Sequence, residues 1–151
     1  MITILPVQAS DKDLHQLIKE LDAYLMECYP AESIYGLDLD DPASFMIAYD
    51  KEGLPVGCGA IRALDKHHTE LKRFYVRSSH RRQGIASRLL QALEEQAREA
   101  GFQIIRLETG AAQPEAIAFY QRYGYEQIER FGIYVDDESS LCYEKKLLHP
   151  M

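Results

Sequence analysis

The sequence feature that most constrains the fold is a strand that leads through an arginine-rich turn into a helix and then into a second strand. Residues 71–77 are typical of a strand, and residues 103–109 form a short apolar run typical of a buried one. Between them, a helix is predicted over residues 84–100, with one apolar face formed by Ile85, Leu89, Leu93 and Ala97. Gly101 follows where a left-handed helix cap is favoured. This succession predicts an α/β domain.

The rest of the chain alternates between helical and strand patterns. Ser10 and Asp13 resemble a capping box at the start of a helix that ends before Pro30, and a further helix is predicted over residues 113–123. Other strands are predicted over residues 45–49, 56–64, 125–130 and 141–146. The resulting order is β-α-β-β-β-α-β-α-β-β. It predicts a single domain over residues 1–151 whose mixed, mostly antiparallel sheet is flanked by helices.

Composition and charge exclude several classes of protein. The 151 residues contain no apolar run near the roughly 20 residues that a membrane span needs, and no secretory signal is predicted. A net charge of −7 argues against general affinity for nucleic acid or anionic membranes. Three cysteines (Cys28, Cys58 and Cys142) are too few for a disulfide framework, which predicts buried thiols in the cytoplasm. The histidines show no metal-ligand spacing, so no metal is predicted.

Positive charge is concentrated in one segment of this acidic chain. Residues 71–93 contain no acidic residue but six cations: Lys72, Arg73, Arg77, Arg81, Arg82 and Arg88. Gly84 and Ala86, at the start of the predicted helix, leave its first backbone amides open to an anion. The segment lacks the motifs of a P-loop or a dinucleotide fold. It predicts a cradle for a small anion such as pyrophosphate, the alternative being a solvated helix start.

Two motifs in the chain are similar to those of a known family. Residues 81–86 resemble the acetyl-CoA signature of the GNAT superfamily of N-acetyltransferases, Arg/Gln-x-x-Gly-x-Gly/Ala. The three specified positions of this pattern are held by Arg81, Gly84 and Ala86. Residues 113–125 are similar to the second GNAT motif, except that Gln113 stands where the family often has Asn. The order of the predicted elements also resembles the GNAT fold from end to end.

The resemblance implies an acetyl-CoA-dependent N-acetyltransferase that moves an acetyl group to a primary amine of a small molecule or peptide, by direct transfer in a ternary complex. The implied contacts to acetyl-CoA come from Phe74, Tyr75, Val76, Arg81, Arg82, Gln83, Gly84, Ile85, Ala86, Ser87 and Gln113. Backbone amides of residues 74–76 would bind the acetyl carbonyl and pantetheine where two strands separate. Tyr120 matches the family tyrosine that protonates the departing thiolate.

Two questions about the chemistry stay open at this point. Glu70 corresponds in place to the glutamate that many family members use to deprotonate the amine, and Glu108 on the next strand is the alternative base. A non-catalytic acyl-CoA-binding or protein-interaction module on the same fold is the second function considered. A homodimer is common for such domains, although no residue identifies an interface.

The acceptor is predicted to bind near the end of the first helix and the last hairpin. Tyrosines and acids are frequent there: Tyr24, Glu27, Tyr29, Glu32, Tyr35, Asp38, Asp40 and Asp41, then Phe131, Tyr134, Asp136, Asp137 and Glu138. This composition favours a cationic or aromatic amine. Lys72 and Arg73 argue against a cation, since one of them should face the cleft on an alternating strand. An acidic amine such as an amino acid therefore remains open.

Overall fold

A computed structural model describes residues 2–36 and 42–147, which build one seven-stranded sheet covered by helices. The strands are β1 (Thr3–Val7), β2 (Ser44–Tyr49), β3 (Pro55–Ala63), β4 (His68–Val76), β5 (Ile104–Gly110), β6 (Glu126–Ile128) and β7 (Ser140–Lys146). The helices are α1 (Lys12–Cys28), α2 (Ile85–Glu99) and α3 (Pro114–Arg122). The observed order confirms the predicted one. No helix in the described ranges is long and apolar enough to cross a membrane.

The sheet has the strand order β1-β2-β3-β4-β5-β7-β6, and β4 and β5 are its one parallel pair among the described strands. Parallel neighbours need a long connection, which helix α2 supplies. The pairing of β4 with β5 ends at Glu70 and Arg106, whereas β5 continues to pair with β7 as far as Gly110 and Ser140. Beyond Glu70 the two parallel strands therefore separate, and a cleft opens between them.

Two clusters of apolar side chains hold helices against opposite faces of the sheet. Helix α1 packs through a cluster of Leu14, Leu17, Phe45, Ile47, Cys58 and Ala60. Helices α2 and α3 pack through a second cluster that includes Ile61, Leu71, Leu89, Leu93, Ile105, Leu107 and Tyr120. Complete burial of each leucine or isoleucine contributes about 1.5–3 kcal/mol to folding. The two clusters therefore fix α1 and α3 on either side of the cleft.

Helix α1 begins one residue later than the predicted capping box requires. The carboxylate of Asp11 accepts hydrogen bonds from the backbone N–H groups of Asp13 and Leu14, at 2.8 and 3.1 Å. The prediction that Ser10 caps the helix was wrong, because Asp11 is an equally good N-cap residue and stands directly beside it. The helix ends at Cys28, and its C-terminal half contributes Leu21 and Tyr24 to the cleft.

A bulge in β4 changes which side chains reach the cleft. The register between β3 and β4 shifts between Cys58 and Ala60, and Arg73 has a left-handed backbone with φ 54°. As a result Lys72 and Arg73 both line the cleft, whereas simple alternation predicts only one of them. Phe74 packs on Phe119 of α3, with ring centroids 6.0 Å apart. The bulge thus directs two neighbouring cations into the cleft.

The three cysteines do not share one environment. Cys58 and Cys142 are buried, as predicted, but Cys28 at the end of α1 is exposed. The prediction of three buried thiols was therefore wrong for Cys28, which lies on the same face of α1 as the buried Leu21 but two turns further along, where residues 26–28 at the end of the helix are all exposed. Burial raises the pKa of the Cys58 thiol to about 12, so this side chain stays protonated.

Candidate active site

The cleft between β4 and β5 has a volume of about 660 Å³ and collects most of the predicted site. Seven of the predicted residues line it: Phe74, Tyr75, Val76, Arg81, Ala86, Gln113 and Tyr120. We call one end of the cleft the α2 end; it lies where Val76 meets the start of α2. We call the other the Tyr134 end; it is formed by Tyr35, Lys72, Glu108 and Tyr134.

The α2 end exposes the backbone of a helix N-terminus. Gly84 is the N-cap of α2 with φ 78°, a left-handed conformation that favours glycine, and the space around its α-carbon is open. The first helical hydrogen bond runs from the N–H of Arg88 to the carbonyl of Gly84 at 3.2 Å. The amides of Ile85, Ala86 and Ser87 therefore have no acceptor inside the helix, and they are available to an anion.

The side chains around this N-terminus serve different purposes. Arg81 lines the cleft and donates from Nε to the carbonyl of Val76 at 3.2 Å, while Arg82 and Gln83 are exposed. Ile85 is buried in the core, so it can offer a ligand only its backbone. The hydroxyl of Ser87 donates to the carbonyl of Gly84 at 3.0 Å.

Half of the basic segment is already paired with acids. Arg73 forms a salt bridge with Asp22 of α1, and Arg77 forms one with Glu20 at 2.7 Å. Lys72 lies 4.0 Å from Glu70. Of the other three cations, Arg88 donates to the carbonyl of Ile2 at 3.2 Å. Arg81 and Arg82 are therefore the cations of this segment left to add charge beside the start of α2.

Tyr120 of α3 lies between the two ends of the cleft. Its ring packs against Phe74, Phe119 and Tyr125, with centroids 5.5–6.3 Å apart. Among the described residues no hydrogen bond to its hydroxyl is formed, although the side chain lines the cleft. Burial, with a smaller contribution from the charge of Glu108, raises the pKa of the phenol. Tyr120 is therefore protonated at neutral pH and has a proton to donate.

The two candidate carboxylates differ in their access to the cleft. Glu70 is 1% exposed and is not a lining residue; its carboxylate accepts from Tyr134 Oη at 2.6 Å and from Arg62 at 3.3 Å. Glu108 lines the cleft and accepts a hydrogen bond from Ser140 Oγ at 2.7 Å. Burial raises the pKa of Glu108, although the Ser140 hydrogen bond and the charge of Lys72 act in the opposite direction.

A hydrogen-bonded chain at the Tyr134 end was not predicted from the sequence. Lys72 Nζ donates to Tyr134 Oη at 3.0 Å, and Tyr134 Oη donates to Glu70. The ring of Tyr35 meets that of Tyr134 edge to face at 4.8 Å, and its hydroxyl donates to Asp137 at 2.6 Å. The sequence showed only that tyrosines and acids are frequent here. Asp38, Asp40 and Asp41, also expected at this rim, lie outside the described residues.

Gln113 is held by a tyrosine at the end of α1. Tyr29 Oη donates to Gln113 Oε1 at 3.3 Å and accepts from the N–H of Ala112 at 3.2 Å. The ring of Tyr29 covers Gly110 so closely that a Cβ there would lie 1.7 Å from the hydroxyl. The side-chain carbonyl of Gln113 is therefore already engaged within the protein, which leaves its amide N–H groups for a ligand.

Comparison with known proteins agrees with this geometry. The model of the acetyltransferase (GNAT) family matches residues 12–125. The chain is 44% identical over 138 residues to an IAA acetyltransferase of Azospirillum brasilense, which covers 87% of this chain and 89% of the relative. It is 36% identical over 124 residues to the uncharacterized N-acetyltransferase YsnE of Bacillus subtilis, covering 78% and 82% of the two chains. The chain belongs to the GNAT acetyltransferase family.

Solved structures of GNAT proteins share the whole fold. A Klebsiella pneumoniae protein named an acyl-CoA N-acyltransferase superposes with a TM-score of 0.85 and 35% identity, covering 98% of this chain and 99% of that one. A GNAT acetyltransferase from Elizabethkingia anophelis with acetyl-CoA bound superposes with a TM-score of 0.71 and 19% identity, covering 97% and 98%. The fold class predicted from the sequence is confirmed.

As a GNAT acetyltransferase, the protein is an acyltransferase whose co-substrate is acetyl-CoA. Family members act on amines of small molecules or peptides, so an amine acceptor follows from the family as well. Membership favours the enzyme over the non-catalytic module on the same fold. In residues 2–36 and 42–147, no group of three or more His, Cys, Asp or Glu side chains is placed to hold a metal ion.

Proposed function

We propose that the protein transfers the acetyl group of acetyl-CoA directly to the amine of a small molecule while both substrates occupy the cleft. The observation that carries this proposal is that one cleft joins an open helix N-terminus, the free hydroxyl of Tyr120 and the carboxylate of Glu108. Acetyl-CoA would enter from the α2 end, and the amine would approach from the Tyr134 end.

We place the pyrophosphate of acetyl-CoA on the amides of residues 85–87. Three amide N–H groups and the positive end of the α2 dipole favour an anion at this point, and Arg81 and Arg82 add charge. The pantetheine would then run along residues 74–76 of β4, because strand pairing with β5 ends at Glu70 and leaves that backbone open to a ligand. Amides fixed in this way would also polarise the acetyl carbonyl.

The proton transfers are assigned to Glu108 and Tyr120. The acceptor amine must lose a proton to attack, and the carboxylate of Glu108 faces the cleft where that amine would stand. A pKa raised by burial brings this carboxylate nearer to neutral pH, which suits a base. The thiolate of CoA then leaves with the proton of Tyr120, whose raised pKa keeps the phenol protonated until that step.

Glu70 receives a different role in this proposal. Its carboxylate is enclosed and already accepts hydrogen bonds from Tyr134 and Arg62. It therefore orients Tyr134, and through Tyr134 it orients Lys72. Of the two bases that the sequence left open, Glu108 is the one we assign to the amine, and Glu70 is a positioning residue.

Replacing Tyr120 by Phe tests the assignment of the acid. Loss of the phenolic proton should lower kcat by about 10²–10⁴-fold, while calorimetry should find acetyl-CoA affinity within about twofold of wild type. Tyr123→Phe is the matched control, since Tyr123 is the C-cap of α3, three residues after Tyr120, and does not line the cleft; this variant should keep the kcat of wild type. An unchanged kcat in Tyr120→Phe would remove this residue from the mechanism.

Direct transfer has its own kinetic signature. Initial rates with both substrates varied should give intersecting double-reciprocal lines, since both must be bound before reaction. Parallel lines together with a trapped acetyl-cysteine would contradict direct transfer and indicate an acetyl-enzyme instead.

Location in the cytoplasm and assembly as a homodimer stay predictions from the sequence.

A further inference from the structure

The Tyr134 end of the cleft contains a buried ammonium group. Lys72 is 6% exposed, yet it lines the cleft beside Tyr134 and Glu108. Burial lowers the pKa of this ammonium, and the nearby charge of Glu70 opposes that shift. A cation removed from water in this way needs anionic or hydrogen-bonding partners.

The protein occupies only part of the hydrogen-bonding capacity of Lys72. Its ammonium carries three protons, of which one is directed to Tyr134 Oη at 3.0 Å. Glu70 lies 4.0 Å away, and its carboxylate oxygen on that side already accepts from Tyr134 at 2.6 Å. The neighbouring cation Arg73 is committed to Asp22 and to the carbonyl of Ile18. Of the cations described at the Tyr134 end of the cleft, Lys72 is therefore the one with donors left for a ligand.

A carboxylate of the protein lies close to this ammonium in the same cleft. Both groups line the cleft, and burial raises the pKa of Glu108 while the charge of Lys72 opposes this rise, so the two groups interact. A ligand that carries an amine and a carboxylate a few bonds apart matches both charges at once. The rings of Tyr35 and Tyr134, in edge-to-face contact, form an aromatic wall beside them.

We propose that the acceptor is an amino acid with an aromatic or apolar side chain, whose carboxylate binds the ammonium of Lys72 while its amine faces Glu108. This inference rests on the proposed function, because it needs the amine at Glu108. An amine without a carboxylate would leave the remaining donors of Lys72 without an acceptor from the ligand and would place a second cation next to this ammonium. The aromatic wall would contact the side chain of the amino acid.

Binding to the CoA-loaded protein tests the proposal without turnover. Isothermal calorimetry would compare L-phenylalanine with phenethylamine and L-leucine with 3-methylbutylamine, which are pairs that differ only by the carboxylate. Wild type should bind each amino acid at least tenfold more tightly than its amine. In Lys72→Met, the dissociation constants of the amino acid and its amine should differ by no more than about threefold. Lys72→Arg should restore the preference for the amino acid, because it keeps the charge.

Three outcomes would overturn the proposal. They are equal or tighter binding of the amines by wild type, no binding of either amino acid, and a preference that persists in Lys72→Met. The wild-type comparison does not depend on whether a variant folds, and CoA affinity checks the fold of each variant.

Turnover of the same four compounds separates this inference from the proposed function. If phenethylamine is acetylated with a higher kcat/KM than L-phenylalanine, acetyl transfer stands and the amino acid inference falls. If L-phenylalanine binds through Lys72 but no amine releases CoA, the binding inference stands and the proposed function falls.

Discussion

The two ends of the cleft differ in whether backbone or side-chain groups form them. At the α2 end, the ligand contacts that we propose would come mainly from backbone amides within one short stretch of chain, residues 74–87. The Tyr134 end is formed by side chains that meet across the fold: Tyr134 is 64 residues from Glu70, and Tyr35 is 102 residues from Asp137. Backbone amides are present whatever the side chains are, whereas the hydrogen-bonding groups and shape of the Tyr134 end change when one of its side chains is replaced. The first arrangement suits a constant co-substrate, and the second suits one particular acceptor.

Replacing Glu108 by Gln tests whether the Tyr134 end supplies the base. We expect kcat/KM to fall about 10²-fold or more. The rate of wild type should rise with pH through the raised pKa of Glu108, because only the carboxylate accepts a proton, and this acidic limb should vanish in the variant. Glu70→Gln should keep the limb. Loss of the limb in Glu70→Gln and not in Glu108→Gln would reverse the assignment.

The same raised pKa makes a prediction about stability. A carboxyl group whose pKa is higher in the folded than in the unfolded state makes folding less favourable as pH rises through that value. Glu108→Gln should therefore unfold at pH 7 at the same or a higher temperature than wild type. A marked drop in melting temperature would show that the activity loss reflects damage to the fold.

Replacing Gly84 by Glu tests the α2 end. A carboxylate at the N-cap of α2 would repel the pyrophosphate, so acetyl-CoA Kd should rise about tenfold or more, equivalent to at least about 1.4 kcal/mol. Gly101→Glu is the matched control, since Gly101 also has positive φ and open space but lies beyond the C-terminus of α2. Equal weakening in both variants would point to backbone strain and would contradict an anion site at Gly84.

Replacing Tyr35 by Phe should have the smallest effect. The change removes one hydrogen bond to Asp137, worth about 1 kcal/mol, so acceptor KM should rise by several-fold while acetyl-CoA Kd stays constant. That hydrogen bond raises the pKa of Tyr35 to about 12, so the phenol stays protonated and the effect should be constant from about pH 6 to about pH 9. Tyr49→Phe, which removes a hydrogen bond to Asp13, is the control. A change in acetyl-CoA Kd would break the separation between the two ends.

The α2 end could be predicted because its information is local. The strand, the turn and the apolar face of α2 are periodic patterns in one segment, and Gly84 marks the place where the backbone turns into the helix. The order of elements followed from the same kind of pattern. The cap of α1 was misplaced because two adjacent residues, Ser10 and Asp11, both favour that role and the sequence does not rank them.

For the Tyr134 end, the sequence predicted only which types of residue are frequent there and not how they contact one another. The sequence placed tyrosines and acids near one another but did not show that Tyr134 joins Lys72 to Glu70. Nor could the sequence decide whether Glu70 or Glu108 is the base, because the two glutamates lie on neighbouring strands, β4 and β5. Burial separates them: one carboxylate is enclosed and the other faces the cleft.

The sequence by itself determined the order of strands and helices, the helix N-terminus at Gly84 and the family motif around it, because these depend on residues close together in the chain. Only the tertiary structure decided that Lys72 and Arg73 both reach the cleft, since that follows from a bulge in the pairing of β3 with β4. It also decided which cations of the basic segment pair with acids and which glutamate is accessible. Charge pairing and burial depend on contacts between distant segments, and no local pattern encodes them.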